Sequence, residues 1–185
     1  MGGVVALKKR LFYPIWKLET LEAELAQMER QGWRLCKLFG MHGYEFIESQ
    51  PKETQYLLTY NNAKGLQLQW QRMHEIEYTI KSQIGGNPVG EDAFSGRTAF
   101  RITQTVDLRD LKRQRNQCLQ GFLRYHMLLM LLPASLCAVL MLCMRDASWL
   151  EIAFIGVCLI FYFAATVYYF IAWRSIKQKL RRENI

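Results

Sequence analysis

Apolar and polar positions divide the chain into two stretches of different character. In residues 1–124 apolar residues recur at short intervals among charged ones, whereas beyond them they form two long runs. The runs cover 125–144 and 152–173, and neither contains Asp, Glu, Lys or Arg. A helix rises about 1.5 Å per residue, so about 20 residues cross a hydrocarbon layer of about 30 Å. We therefore predict a transmembrane hairpin over 125–173.

Basic residues lie mainly on one side of this hairpin. The flanking segments 109–124 and 174–182 contain ten Lys and Arg, against one, Arg145, in the connector. Lys and Arg accumulate in the cytoplasmic flanks of membrane spans. The bias predicts a two-span protein of the cell membrane with the N- and C-termini in the cytoplasm.

The stretch before the hairpin has the pattern of a helix followed by strands. Leu18, Leu21, Leu25 and Met28 recur with a helical period, which predicts a helix near 18–31 that stops at the next glycine. Alternating residues then predict strands, with a further one possible before the helix. The predicted strands cover 33–39, 44–48, 54–60 and 100–103, and the possible one lies within 8–15.

The middle of this stretch is ambiguous. Residues 66–84 fit either strands or a helix, and periodicity does not decide between them. Residues 85–96 are rich in Gly, Pro and Asn, which predicts a loop. The secondary structure of 64–96 therefore stays open.

These elements predict an α+β cytosolic domain, with a helix packed on a mostly antiparallel sheet, followed by a two-helix transmembrane hairpin. The domain is expected over 1–107 and a basic juxtamembrane helix over 108–124. The hairpin over 125–173 is followed by a basic cytosolic tail at 174–185.

The segment from Lys17 to Tyr60 resembles the bacterial family catalogued as domain of unknown function 2812. The resemblance rests on the acidic helix ending in Gly32-Trp33, the Tyr44-x-Phe46 strand and the strand from Tyr56 to Tyr60. Many members continue through a basic stretch into C-terminal membrane helices. The resemblance implies the same layout here and a context of transcriptional regulation, without an activity or a ligand.

Residue patterns typical of catalysis or metal binding are missing. The five Cys show no CxxC or other metal spacing, and the three His are scattered. The glycines lack the frame of a phosphate-binding loop. We therefore expect no enzymatic activity, no catalytic or metal-binding residues and no cofactor.

The net charge of +8 suggests a partner. Nucleic acid is one candidate, but the membrane topology and anionic lipid headgroups explain the charge better, since each nearby Lys or Arg contributes about 1 kcal/mol. We expect Arg109, Lys112, Arg113 and Arg115 to face lipid, and we expect no nucleic-acid binding.

Aromatic residues in the predicted strands are the other candidate for function. They are either the core of a small domain or an interaction surface on an incompletely covered sheet. The candidate surface consists of Tyr44, Phe46, Tyr56 and Tyr60.

The sequence thus predicts a membrane-anchored, non-enzymatic regulatory or protein-interaction module. Its partner would be a cytosolic regulator protein. The alternative is an accessory subunit of a membrane transporter or envelope complex that acts through its hairpin. Neither the identity of the partner nor the oligomeric state follows from the sequence.

Overall fold

Six strands and four α-helices lie in the part of the chain that the computed structural model describes, which is residues 6–40, 42–60, 67–92, 96–143 and 149–182. The chain divides into two units, Met1–Cys118 and Leu119–Ile185. We call them the N-terminal unit and the C-terminal unit.

The first half of the N-terminal unit has the element order strand, helix, strand, strand. These elements are β1 (Ala6–Arg10), α1 (Leu18–Arg30), β2 (Trp33–Phe39) and β3 (Gly43–Glu48). A short 3-10 turn, Ile15–Lys17, precedes α1. The three strands form an antiparallel sheet in the order β1-β3-β2.

The second half repeats that order. Its elements are β4 (Gln55–Tyr60), α2 (Gln67–Ser82), β5 (Asn87–Asp92) and β6 (Arg97–Ile102). Its strands form a second antiparallel sheet in the order β4-β6-β5. In each half, the third strand along the chain thus lies in the middle of the sheet, and the first and second strands lie at its two edges.

The glycines with positive φ also repeat between the halves. Gly32 follows α1 with φ of 88° and Gly85 follows α2 with φ of 69°. Gly40 and Gly96 lie in the two hairpin turns with φ of 56° and 60°. Glycine adopts these angles without the steric cost that a Cβ imposes. The N-terminal unit is therefore a tandem of two βαββ halves.

Strand β4 lies between the two helices of the N-terminal unit and contacts both α1 and α2. Its residues alternate between the two sides. Tyr56 reaches toward α1, where its hydroxyl donates to Glu29, and Leu57 packs in a core cluster with Ile76 of α2. Both faces of β4 are consequently buried.

Two long helices, α3 (Arg109–Cys143) and α4 (Trp149–Arg182), complete the described chain. Both are long and apolar enough to cross a membrane, and large apolar side chains on both are exposed. His126 of α3 stacks on Tyr169 of α4, with ring centroids 5.6 Å apart. The two helices therefore lie side by side at this level.

The fold class is confirmed: antiparallel sheets with helices precede two long apolar helices. The helix expected near 18–31 is α1, and the predicted strands correspond to β2, β3, β4 and β6. The possible strand within 8–15 is β1, which begins earlier. The N-terminal unit contains two sheets rather than one, and it runs to Cys118, beyond the boundary expected at 107.

The ambiguous middle contains one helix and one strand. Residues 67–82 form α2, which answers the open question there. The loop predicted over 85–96 was wrong in part, because Asn87–Asp92 forms β5. β5 is an edge strand, and its pairing with β6 shifts register between Pro88 and Gly90. Proline and glycine are tolerated at an edge and beside a bulge.

Candidate functional site

Glu22 and Arg115 form a buried ion pair in the N-terminal unit. Glu22 on α1 is 3% exposed and Arg115 on α3 is 0% exposed. Arg115 Nη1 donates to Glu22 Oε1. The pair also holds the backbone of Leu58 on β4: its N–H donates to Glu22 Oε1 at 2.9 Å, and its carbonyl accepts from Arg115 Nη1 at 3.1 Å. Because β4 is an edge strand, the ion pair covers part of its free edge.

The remaining polar atoms of this pair are incompletely satisfied. Lys112 Nζ lies 3.6 Å from Glu22 Oε2, which is an ion pair beyond hydrogen-bond reach. Arg115 Nε and Nη2 are buried without a hydrogen-bond partner among the described residues. Burying two charges costs desolvation energy even when they pair, and removing one partner leaves the other uncompensated. The pair therefore makes the base of α3 necessary to the N-terminal unit.

A second buried carboxylate, Glu29, joins α1 to the second sheet. Arg101 Nε on β6 donates to Glu29 Oε1 at 2.8 Å. The hydroxyls of Thr54 and Tyr56 donate to Glu29 Oε2, each at 2.6 Å. Burial alone would raise the pKa of the Glu29 carboxyl, but these hydrogen bonds and the Arg101 charge outweigh burial and lower it.

Three of the four residues of the predicted aromatic surface are buried, so that prediction was wrong for them. Tyr44 and Phe46 are fully buried, and Tyr56 is 2% exposed. Only Tyr60 is half-buried. The Tyr44 hydroxyl accepts a hydrogen bond from Arg97 Nη1 at 2.9 Å, and burial raises the pKa of Tyr44 to about 12. These side chains are therefore part of the core, which was the other of the two alternatives.

The predicted lipid-facing set is also divided. The expectation was wrong for Arg115, which is buried against Glu22. Lys112 is half-buried beside the Glu22 carboxylate. Arg109 Nε lies 3.8 Å from Asp107 Oδ1, and both side chains are exposed. Arg113 is exposed. A basic residue in a charged run is usually solvated, and its sequence does not reveal a partner 93 positions away.

A groove lies beside Glu22 of the Glu22–Arg115 pair. It is about 410 Å³ in volume and runs between α1, the start of β4 and the segment leading into α3. A smaller cavity of about 230 Å³ adjoins it and shares part of its wall. Residues of the groove include Glu19, Ala23, Ala26, Arg30, Gln55 and Lys112.

The lining of the groove is suited to polar recognition. Gln55 lines both cavities, and its Oε1 is buried without a hydrogen-bond partner among the described residues. Charges of both signs border the groove, with Glu19 facing the same cleft as Arg30 and Lys112. Among the described residues, no three His, Cys, Asp or Glu side chains are grouped to hold a metal ion. Neither this groove nor the two buried networks were visible from the sequence, because each joins residues far apart in the chain.

No protein-family model, curated protein or solved structure matches the chain. The site therefore has to be interpreted from its own geometry.

Proposed function

We propose that the chain is a membrane-anchored, non-enzymatic regulatory or protein-interaction module. The observation that carries this proposal is the continuity of α3. The helix that supplies buried Arg115 and Cys118 to the N-terminal unit continues without a break into an apolar segment long enough to cross a membrane. A protein bound to the N-terminal unit would thereby act on the membrane helix, and a change at the membrane helix would act on the N-terminal unit.

The partner of the N-terminal unit would be a cytosolic regulator protein that occupies the groove beside Glu22. Such a partner touches α1, β4 and the base of α3 together, because the groove is lined by all three. The unpartnered Gln55 Oε1 would accept a hydrogen bond from it. Binding there would stabilise the covered edge of β4.

The hairpin would lie in the cell membrane with both chain termini in the cytoplasm. The excess of Lys and Arg outside the two apolar runs supports this orientation. The same charges support contact with anionic lipid headgroups and no nucleic-acid binding. A reporter that is active only after export, fused behind Ile185, should be silent. Activity of that reporter would contradict the orientation.

Membership in the domain of unknown function 2812 family is proposed as well. It is supported by the order of an acidic helix, an aromatic-rich meander and two apolar helices.

The alternative function is an accessory subunit of a membrane transporter or envelope complex. It is favoured by the exposed aromatic side chains of α4, since Phe154, Phe161 and Phe163 are each about 70% exposed. Lipid or a second membrane protein could cover them. In this alternative the hairpin, not the groove, contacts the partner.

Co-purification from detergent-solubilised membranes distinguishes the two functions. Ala23→Trp fills the groove from an exposed helix position, and Thr20→Trp is the matched control at an exposed position of α1 outside the groove. We expect a cytosolic partner to be lost with Ala23→Trp and kept with Thr20→Trp. Retention in Ala23→Trp with loss in Phe161→Ala/Phe163→Ala would favour the alternative. Turnover of a metabolite by the purified chain would overturn both.

A further inference from the structure

Three of the basic residues that follow the apolar part of α4 lie away from its buried side. Ala172, Ile176 and Leu180 are buried at intervals of four residues, so one side of α4 is covered. At about 100° per residue, Arg174 and Lys177 lie on the other side, as does Arg181. Arg174 and Arg181 are exposed, and Lys177 is half-buried.

These residues differ in their distance from the apolar segment. Ile171 is the last large apolar side chain of α4 that is at least half exposed. Arg174 follows Ile171 by three residues, about 4.5 Å along the helix, whereas Arg181 follows Ile171 by ten residues, about 15 Å. The headgroup layer on one side of a bilayer is about 5–7 Å deep. Arg174 therefore falls within that layer and Arg181 lies beyond it.

The direction of α4 brings Lys177 back toward the same layer. Side chains of a helix tilt toward its N-terminus, which for α4 is the direction of the apolar segment. Lys177 Nζ lies over the ring of Trp173, 4.6 Å from its centroid. The ammonium group is thus held one turn closer to the apolar segment than its own Cα.

Helix α3 has the opposite geometry. It runs from the N-terminal unit toward its apolar segment, so its side chains tilt away from that segment. Arg113 precedes Tyr125 by twelve residues, about 18 Å along the helix. A Debye length at physiological salt is about 8 Å, so a charge at this distance is largely screened from headgroups.

We infer that Arg174 and Lys177, with Trp173 beside them, form a binding site for the phosphate headgroup of an anionic phospholipid. This inference deepens the proposed membrane anchoring and rests on it. It assigns a lipid contact to the end of α4, and not to Arg113 near the start of α3. Trp173 ends the charge-free apolar run of α4, and tryptophan is enriched at membrane–water interfaces. The two cations would lie around the phosphate.

Quenching of Trp173 fluorescence by lipids brominated near the headgroup tests the site in the full chain reconstituted into bilayers. Trp149→Phe removes the indole at the start of α4, so that Trp173 reports for the hairpin. Quenching by brominated phosphatidylglycerol is compared with quenching by brominated phosphatidylcholine at low and high salt. The ratio of quenching by the two lipids measures the preference for the anionic lipid. Quenching by brominated phosphatidylcholine alone reports whether the hairpin is inserted in the bilayer.

We expect phosphatidylglycerol to be preferred at Trp173, with a preference that salt weakens. At about 1 kcal/mol for each basic residue, Arg174→Gln or Lys177→Gln should each reduce it about fivefold, and the double variant should reduce it about 25-fold. Arg181→Gln and Arg113→Gln are matched controls that should leave it unchanged.

Equal quenching by the two lipids in the unsubstituted protein would overturn the site, as would an equal loss in the Arg181→Gln control. Absence of quenching by either lipid would instead contradict the membrane anchoring itself. The two failures are therefore distinguishable.

Discussion

The two βαββ halves of the N-terminal unit protect their first strands in different ways. β1 is an edge strand that carries Lys8, Lys9 and Arg10, and such charges oppose the addition of another strand. β4 holds the equivalent position in the second half, but Glu22 and Arg115 hydrogen-bond its backbone. The same topology thus leaves one edge to solvent and packs the base of the long helix α3 onto the other. The difference shows that the base of α3 belongs to the second half.

The largest effect is expected from removing Arg115. Arg115→Ala leaves Glu22 as a buried carboxylate with only Lys112 nearby, which should lower the free energy of unfolding by about 3–5 kcal/mol. Urea unfolding of the full chain in detergent micelles, followed by tryptophan fluorescence, measures this loss. Arg113→Ala at an exposed position of the same helix should change it by less than about 0.5 kcal/mol.

Replacing both charges should recover most of that stability. A Glu22→Leu/Arg115→Met variant has no charge left to bury. A double variant as unstable as Arg115→Ala would show that the hydrogen bonds to Leu58, rather than the charge balance, hold the edge of β4.

Helix α1 serves both halves, so a cavity beneath it should destabilise both. It contacts β2 in the first sheet and β4 in the second, and Leu25 is fully buried. Leu25→Ala should cost about 2–5 kcal/mol in the same assay. Thr20→Ala, at an exposed position of the helix, is the control. An unchanged midpoint for Leu25→Ala would contradict this packing of α1.

The Glu29 network should make the second half sensitive to acid. The pKa of the Glu29 carboxyl is lowered in the folded state. The carboxylate therefore stabilises the fold at pH values above the unfolded-state pKa of about 4.3, and this contribution is lost as the pH falls through the folded-state pKa. Glu29→Gln should be less stable at pH 7 and should lose less stability on acidification. Parallel profiles for the two proteins would contradict this role of Glu29.

The smallest effect is expected at the β1 edge. Lys9 Nζ lies 2.8 Å from Glu24 Oε1, and 42% of the Lys9 side chain is exposed. Such pairs contribute about 0.2–1 kcal/mol. Lys9→Ala should therefore lower the unfolding midpoint only slightly. The difference between the variant and the unsubstituted protein should be smaller still at high salt, because salt screens the ion pair. A loss as large as that of Arg115→Ala would remove the contrast between the two edges.

The sequence predicted the elements whose own pattern specifies them. The leucine period of α1, the alternation in β3 and β4 and the two charge-free runs all correspond to observed elements. β5 was missed because Pro88 and Gly90 are typical of loops, and only the hairpin with β6 makes an edge strand of them. The repeat of the βαββ order was not predicted, because the two halves are alike in topology and in the positions of their glycines, which become apparent only in the fold.

The candidate site was largely beyond sequence reasoning. Alternation on β4 indicates two faces, but it does not indicate that α1 covers one and α2 the other. The pattern therefore left Tyr56 a candidate for an interaction surface, although it lies in the core. Arg115 resembles its basic neighbours in sequence, and only the fold brings Glu22 to it.

Two fragments test most directly whether the base of α3 belongs to the N-terminal unit. One ends at Asp107, where the sequence places the domain boundary, and the other ends at Gly121, just beyond the observed unit. We predict that the longer fragment unfolds in one cooperative transition. The shorter one should be at least about 3 kcal/mol less stable, because its Glu22 has no cation to pair with.

Glu22→Gln in the shorter fragment should restore part of the loss, since it removes the uncompensated charge. The account is contradicted if the two fragments, both without substitutions, unfold with the same free energy.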